Sequence, residues 1–323
     1  MGDTVLNVES LSVYYYTLSG IVKAVDNVSF ELGKGEWLSL VGESGSGKST
    51  LGYSLLRLVP PPGRIVGGKI EIEGVDVTSL DEGRMREIRG SKISMVLQDP
   101  LTSLDPLRKI GEQLREILEV HGIKDKDEQE RRVEEALKNV RLPVSYKNSY
   151  PHELSGGQRQ RVAIASGIIL EPSILVADEP TTALDVIVQS KIMDLLDELR
   201  RDLGISIILI THDLALAVER SDRIAVMYAG QLVEEGGSKK LAGEPLHPYT
   251  RGLINSIPKL FGPKDIEEIP GYPPDLRSPP PGCRFHPRCP FATEKCRKEE
   301  PPEYRIDGRR VKCWLLGEEV KEE

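Results

Sequence analysis

Short apolar runs alternate along the chain with longer stretches in which apolar residues recur at helical spacing. Val5–Tyr16 and Val28–Leu32 predict strands near the start, and Trp37–Val41 is an apolar run that stops at a glycine-rich loop. A helix from Lys48 or Ser49 is expected to run toward Leu58. Ile93–Leu97, Ile174–Ala177, Ile205–Ile210 and Ile224–Met227 predict further buried strands, each bounded by polar or turn residues. This alternation predicts an α/β fold, a mainly parallel sheet covered by helices. Ile110–Val140 is highly charged with helical spacing and predicts a helical insertion projecting from the sheet. No internal repeat is evident.

Length and charge narrow the picture. The 323 residues allow one large or two modest domains. Lys plus Arg total 43 against 51 Asp plus Glu, a net charge of -8 and the wrong sign for generic nucleic-acid binding. The longest apolar stretches, such as Ile205–Ile210 and Ile168–Leu170, fall far short of the roughly 20 residues of a spanning helix, so no transmembrane segment is expected. Met1–Glu9 has neither a basic nor an apolar leader region, which predicts a cytoplasmic address. All four cysteines lie in one C-terminal stretch, preceded by Pro258, Pro263, Pro270, Pro273, Pro274 and the run Pro279 to Pro281. Such a stiff, extended lead-in predicts a boundary between modules 1–257 and 258–323.

Gly42-Glu43-Ser44-Gly45-Ser46-Gly47-Lys48-Ser49 fits G-x-x-x-x-G-K-[ST] between a strand and a helix, the context this motif requires. Its glycines let backbone N–H groups surround a polyphosphate, and the helix N-terminus adds positive potential. Lys48 is expected to reach the β and γ phosphates, Ser49 to supply a hydroxyl to Mg²⁺ and Thr50 to contact the α phosphate. Ile174–Ala177 ends in Asp178 and Glu179. Asp178 can hold the hydration shell of Mg²⁺, and Glu179 can accept a proton from an attacking water as general base. Leu154-Ser155-Gly156-Gly157-Gln158 opens a predicted helix through Ile169, a second anion site. Two phosphate-grasping helix starts in one chain predict a nucleotide sandwiched by two subunits.

With these strings the chain resembles the ATP-binding cassette ATPases over Val5–Ile257, because Leu154–Gln158 upstream of the acidic strand is that family's signature. The resemblance implies a RecA-like core, an N-terminal antiparallel β subdomain, a helical subdomain at about 99–165, and hydrolysis of ATP to ADP and phosphate. It further implies that Gln98 touches Mg²⁺ and the attacking water and relays to the membrane partner. His212 would contact the γ phosphate, and Asp185 of Ala183-Leu184-Asp185 would couple two nucleotide sites. Tyr15 would stack on adenine, with Tyr14 and Tyr16 as neighbouring registers. Mg²⁺ would be held through Ser49, Gln98 and Asp178, while Ser155, Gly156, Gly157 and Gln158 serve the partner's ATP.

A narrower likeness, to the dipeptide and oligopeptide importer ATPases, rests on Asp99–Pro106 after Gln98 and on Leu246-His247-Pro248-Tyr249-Thr250. It implies a second related ATPase, two membrane permease subunits docked through the helical insertion, an extracytoplasmic binding protein, and a place on the cytoplasmic face of the membrane. Oligosaccharide or nickel-chelate import, or a soluble cassette acting on DNA or ribosomes, are the competing functions.

Cys283-x5-Cys289-x6-Cys296-x16-Cys313 lacks the C-x2-C pairs usual for zinc. Four thiolates are the ligand count of a 4Fe–4S cluster, which the family's extension also implies. Zinc, with His286 replacing one thiol or not, and free thiols are the alternatives. Arg284, Arg288, Lys295, Arg297, Arg309, Arg310 and Lys312 are expected to offset the negative charge of a cluster.

Overall fold

The computed structural model describes residues 3–182, 184–257 and 269–319. The lead-in residues Pro258 and Pro263, the boundary placed there, and Ala183 lie outside the described residues. Twelve strands are described: β1 (Thr4–Thr17), β2 (Gly20–Gly33), β3 (Trp37–Val41), β4 (Gly63–Ile72), β5 (Val75–Asp76), β6 (Ile93–Val96), β7 (Ile174–Asp178), β8 (Ser206–Thr211), β9 (Arg223–Tyr228), β10 (Gln231–Gly237), β11 (Tyr304–Ile306) and β12 (Arg309–Val311). Two compact units are formed, one from Met1–Leu6, Leu32–Glu36 and Glu71–Leu209, the other from Asn7–Glu31, Trp37–Ile70 and Ile210–Glu323.

In the first unit β8, β7 and β6 lie side by side. β6 and β7 are parallel with Ile93 opposite Ile174 and Val96 opposite Ala177. All five positions of β7 are buried, which explains why the run is apolar on both of its faces. The charged insertion resolves into two helices, Ile110–Val120 and Lys126–Asn139. Ile110, Leu114 and Leu118 of the first, and Val133, Ala136 and Leu137 of the second, are buried. Asp125 caps the second helix by accepting from the Glu128 N–H at 2.8 Å. Its charges form exposed pairs such as Arg131 with Glu128 and Glu135, which solvent screens so that they add little to stability.

In the second unit β2, β1 and β4 form one ribbon, and a second set runs β11, β12, β10, β9, β3. β3 and β9 are parallel, with Leu38 opposite Arg223. β9 and β10 are antiparallel, and the β11–β12 hairpin of the C-terminal segment adds antiparallel strands through Glu234 opposite Val311. The core of this unit gathers Val41, Ile224, Val226, Tyr228, Tyr249 and Phe285, with Cys283 and Cys289 against it.

Candidate nucleotide site

β3 delivers the glycine-rich loop from a fully buried strand. A side chain at Gly42 would place Cβ 2.1 Å from the Met227 carbonyl oxygen, and one at Gly47, where φ is +106°, would place it 2.0 Å from that of Ala24. Only glycine fits at either position. Helix Lys48–Leu55 begins at once, with no side chain capping its first N–H groups. A helix start that follows directly on a glycine-rich loop is the arrangement that receives phosphate. Lys48 is buried, and its Nζ donates to the carbonyls of Gly42 at 2.7 Å and Glu43 at 2.9 Å. The Oγ of Ser46 is buried with no protein partner.

Three tyrosines of β1 separate by environment. The Oη of Tyr14 donates to Asp26 at 2.7 Å, and burial pushes its pKa up to about 12. Tyr16 is exposed beneath Arg64. Tyr15 is the one joined to the loop helix, its Oη 3.3 Å from Thr50 Oγ1. His212 follows β8 and is exposed; the next residue, Asp213, caps helix Leu214–Arg220.

The first unit carries the acidic strand end and the signature. Asp178 is buried at the end of β7, and Glu179 turns into the left-handed region at φ +45°. That conformation costs a non-glycine residue about 1 kcal/mol and is common where a side chain is aimed for function. Gln98 Nε2 donates to Glu179 Oε2 at 3.0 Å, and Thr182 Oγ1 donates to the same oxygen at 2.9 Å. Ser155 and Gln158 form a capping box at the start of helix Gly156–Ile168. Gln158 also donates to Tyr146 Oη at 3.0 Å. A Cβ on Gly157 would lie 2.7 Å from Val188 Cγ1. Val188 in turn gives its N–H to Asp185, the cap of helix Val186–Leu203. The signature and Asp185 are thus two helix starts packed together.

The cysteines all carry free thiols. Burial pushes Cys283 up to about 11 and Cys313 up to about 12, and it raises Cys289 as well. Cys313 lies within electrostatic reach of the other three thiols. Against that burial, the backbone at Phe285 and His286 favours the thiolate of Cys283, that at Phe291 the thiolate of Cys289, and that at Leu315 the thiolate of Cys313. Thr293 Oγ1 sits 3.3 Å from Cys296 Sγ. Among the described residues no three His, Cys, Asp or Glu side chains converge closely enough to hold one metal ion. A single zinc draws its ligands to about 2.3 Å of one point, and these thiols are not gathered so. The ring of His286 bonds the Cys283 carbonyl at 3.0 Å.

The expected role of the basic neighbours is corrected. Arg284 pairs with Asp26, Arg288 with Glu43, Arg297 with Glu294 and Arg310 with Glu235, while Arg309 faces Asp307 and Lys295 lies over the Trp314 ring. Most of that positive charge is already matched by carboxylates, so it does not form an uncompensated shell for a cluster.

Two supports of the loop, Tyr249 and His247, enter the sequence reading only through the string Leu246–Thr250, which does not show their bonds. Tyr249 Oη accepts the Glu43 N–H at 2.9 Å. His247, wholly buried, accepts the Tyr249 N–H on Nδ1 at 3.0 Å and gives its backbone N–H to Glu234 Oε2 at 2.9 Å. Burial lowers its pKa to about 3, so the ring is neutral. The signal available was the string His247-Pro248-Tyr249, with proline at the first helical turn.

Residues 25–182 match the ABC transporter family model, and residues 233–296 match that of the oligopeptide/dipeptide transporter C-terminal region. The oligopeptide transport ATP-binding protein OppD of Bacillus subtilis is 45% identical over 317 residues, 96% of this chain and 88% of the relative. The dipeptide transport ATP-binding protein DppD of Haemophilus influenzae is 45% identical over 95% of this chain and 94% of its own length. Among solved structures, a dimeric ATP-binding cassette in a post-hydrolysis state bound to ADP and Pi is 32% identical with a TM-score of 0.63, covering 72% of this chain and 99% of that one. Among the described residues no helix is long and apolar enough to cross a membrane. The chain belongs to the ABC transporter family, as an ATP-binding subunit of the oligopeptide and dipeptide importer group.

Proposed function

We propose that this chain hydrolyses ATP to drive peptide import from the cytoplasmic face of the membrane. It works beneath two permease subunits and beside a second related ATPase, and an extracytoplasmic binding protein supplies the peptide. The carrying observation is that peptide-transport ATP-binding relatives align over about the whole chain, including the extension. Residues 1–257 serve as the cassette, with about 99–165 as its helical subdomain, and 258–323 as a C-terminal module.

In this reading the loop Gly42–Gly47 receives the phosphates, Lys48 leaves the carbonyls of Gly42 and Glu43 to grip the β and γ phosphates, Thr50 meets the α phosphate, and Tyr15 stacks on adenine. Mg²⁺ would be held through Ser49, Asp178 and Gln98, where it would neutralise phosphate charge. Glu179 takes a proton from water as the water oxygen bonds the γ phosphorus and the bond to the β–γ bridging oxygen breaks. The bonds from Gln98 and Thr182 support this role by fixing the carboxylate. His212 senses the γ phosphate, Asp185 links the two sites, and Ser155 to Gln158 meet the partner's ATP.

The four cysteines would hold a 4Fe–4S cluster. Four thiols within electrostatic reach of one another, three of them with backbone groups that favour the thiolate, suit a polynuclear centre better than one zinc. The transport reading is tested by reconstituting the four membrane-bound subunits in vesicles with the binding protein and following labelled di- and oligopeptides. ATP-dependent uptake of peptides, absent with Lys48→Ala, is expected; uptake of an oligosaccharide or a nickel chelate instead would overturn the cargo.

A further inference from the structure

Glu43 stands second in the phosphate loop, and every polar group it owns is engaged. Its N–H goes to Tyr249 Oη, and its carbonyl accepts from Lys48 Nζ at 2.9 Å and from the Ser46 N–H at 3.2 Å. Its carboxylate is gripped by Arg288, with Nη1 to Oε2 at 2.6 Å and Nη2 to Oε1 at 2.9 Å. Arg288 is buried, and its Nε donates to the Pro270 carbonyl at 2.8 Å. The guanidinium lies 5.7 Å from the centre of the Tyr228 ring. Tyr228, Tyr249 and Phe285 form one aromatic cluster with centroids 4.6 to 5.3 Å apart. Arg288 directly precedes Cys289, and Phe285 lies two residues after Cys283. The four-cysteine module therefore reaches the phosphate loop directly through the Arg288–Glu43 ion pair, and indirectly through Phe285, which packs on the Tyr249 that accepts the Glu43 N–H.

We infer that Arg288 is a positioning residue for nucleotide binding, acting through Glu43, so that the cysteine module sets the affinity of the ATP site. This rests on the ATPase reading above. When Lys48 moves to the phosphates it gives up the carbonyls of Gly42 and Glu43. The loop then keeps its inward N–H geometry through the bonds that do not involve the nucleotide, chiefly those of Arg288 and Tyr249 to Glu43. A bidentate Arg–carboxylate pair fixes direction as well as distance. Holding the loop in its receiving shape before ATP arrives raises affinity by removing an ordering cost, and the chemical step at Glu179 is left as it was.

The test titrates the full-length chain with a fluorescent ATP analogue, alongside kcat and nucleotide-free melting temperature. Arg288→Ala and the gentler Glu43→Gln are each expected to weaken binding about tenfold, within the range for contacts in one network. The double variant should lose about tenfold and not a hundredfold, because both changes break one contact. Arg288→Lys should fall between wild type and Arg288→Ala, and kcat at saturating ATP should stay within about twofold of wild type. Wild-type affinity in Glu43→Gln, additive losses in the double variant, or a fall in kcat with unchanged affinity would overturn the inference. Lys48→Ala separates the two readings: if wild type and Lys48→Ala bind equally the ATPase reading fails, and if only the Arg288 and Glu43 variants match wild type the brace alone fails.

Discussion

Gln98 Nε2 donates to Glu179 Oε2 across 3.0 Å, joining the second residue after β6 to the first residue after β7. These strands are parallel neighbours, so a side chain just beyond each C-terminal end meets its counterpart. Glu179 is thereby oriented by the neighbouring strand as well as by its own left-handed backbone.

Removing that orientation should affect turnover more than binding. Gln98→Ala is expected to lower kcat about tenfold or more while leaving the Mg²⁺-free affinity for ATP near wild type, since misplacing a base costs rate. Steady-state hydrolysis paired with equilibrium nucleotide titration checks this, and an unchanged kcat would argue against Gln98 as a positioner of Glu179.

The two signature glycines should differ in stability. A Cβ at Gly157 would press on Val188 at 2.7 Å, whereas one at Gly156 meets Leu184 at 3.5 Å, an ordinary contact. Gly157→Ala is expected to lose about 1–3 kcal/mol from overpacking, and Gly156→Ala to change stability little. Denaturant melts of the two variants decide it.

Much of this was readable from the sequence, for a physical reason. Trp37–Val41 and Ile174–Asp178 are covered on both faces, so their strands stand out as apolar runs. The loop at Gly42–Ser49 and the signature at Ser155–Gln158 are contiguous strings whose chemistry needs those residues in that order. β10 was not readable, because it carries Glu234 and Glu235 into the interior. There Glu234 accepts backbone N–H bonds from Leu246 and His247, and Glu235 pairs with Arg223 and Arg310. Nor was the Arg288–Glu43 contact, which joins two ordinary charged residues 245 positions apart. Arg288 reads in sequence as a companion of the thiols, and only the fold shows it turned to the phosphate loop.

His247 should make the chain acid-sensitive. Burial depresses its pKa from 6.5 to about 3, so between those values the unfolded chain binds a proton that the folded chain refuses. Stability is full above pH 6.5 and falls as pH drops toward 3; at pH 5.5 the folding equilibrium loses about tenfold from this group. His247→Asn keeps a capping acceptor without a titrating ring, so its melting temperature should fall less than that of wild type between pH 6.5 and 5. Parallel curves would contradict the assignment.

The cysteine module yields a compositional prediction. Anaerobically purified full-length chain is expected to hold about four irons and four sulfides, and Cys313→Ser to lose most of both. One zinc without sulfide, or neither metal, would remove the cluster and leave the ATP site as described.

The central claim is that Glu179 is the base of an ATP-hydrolysing site, and single-turnover hydrolysis by Glu179→Gln tests it most directly. ATP should bind with near wild-type affinity, release of phosphate should fall about a hundredfold or more, and the closed two-cassette assembly should accumulate. Phosphate release at the wild-type rate would contradict the account.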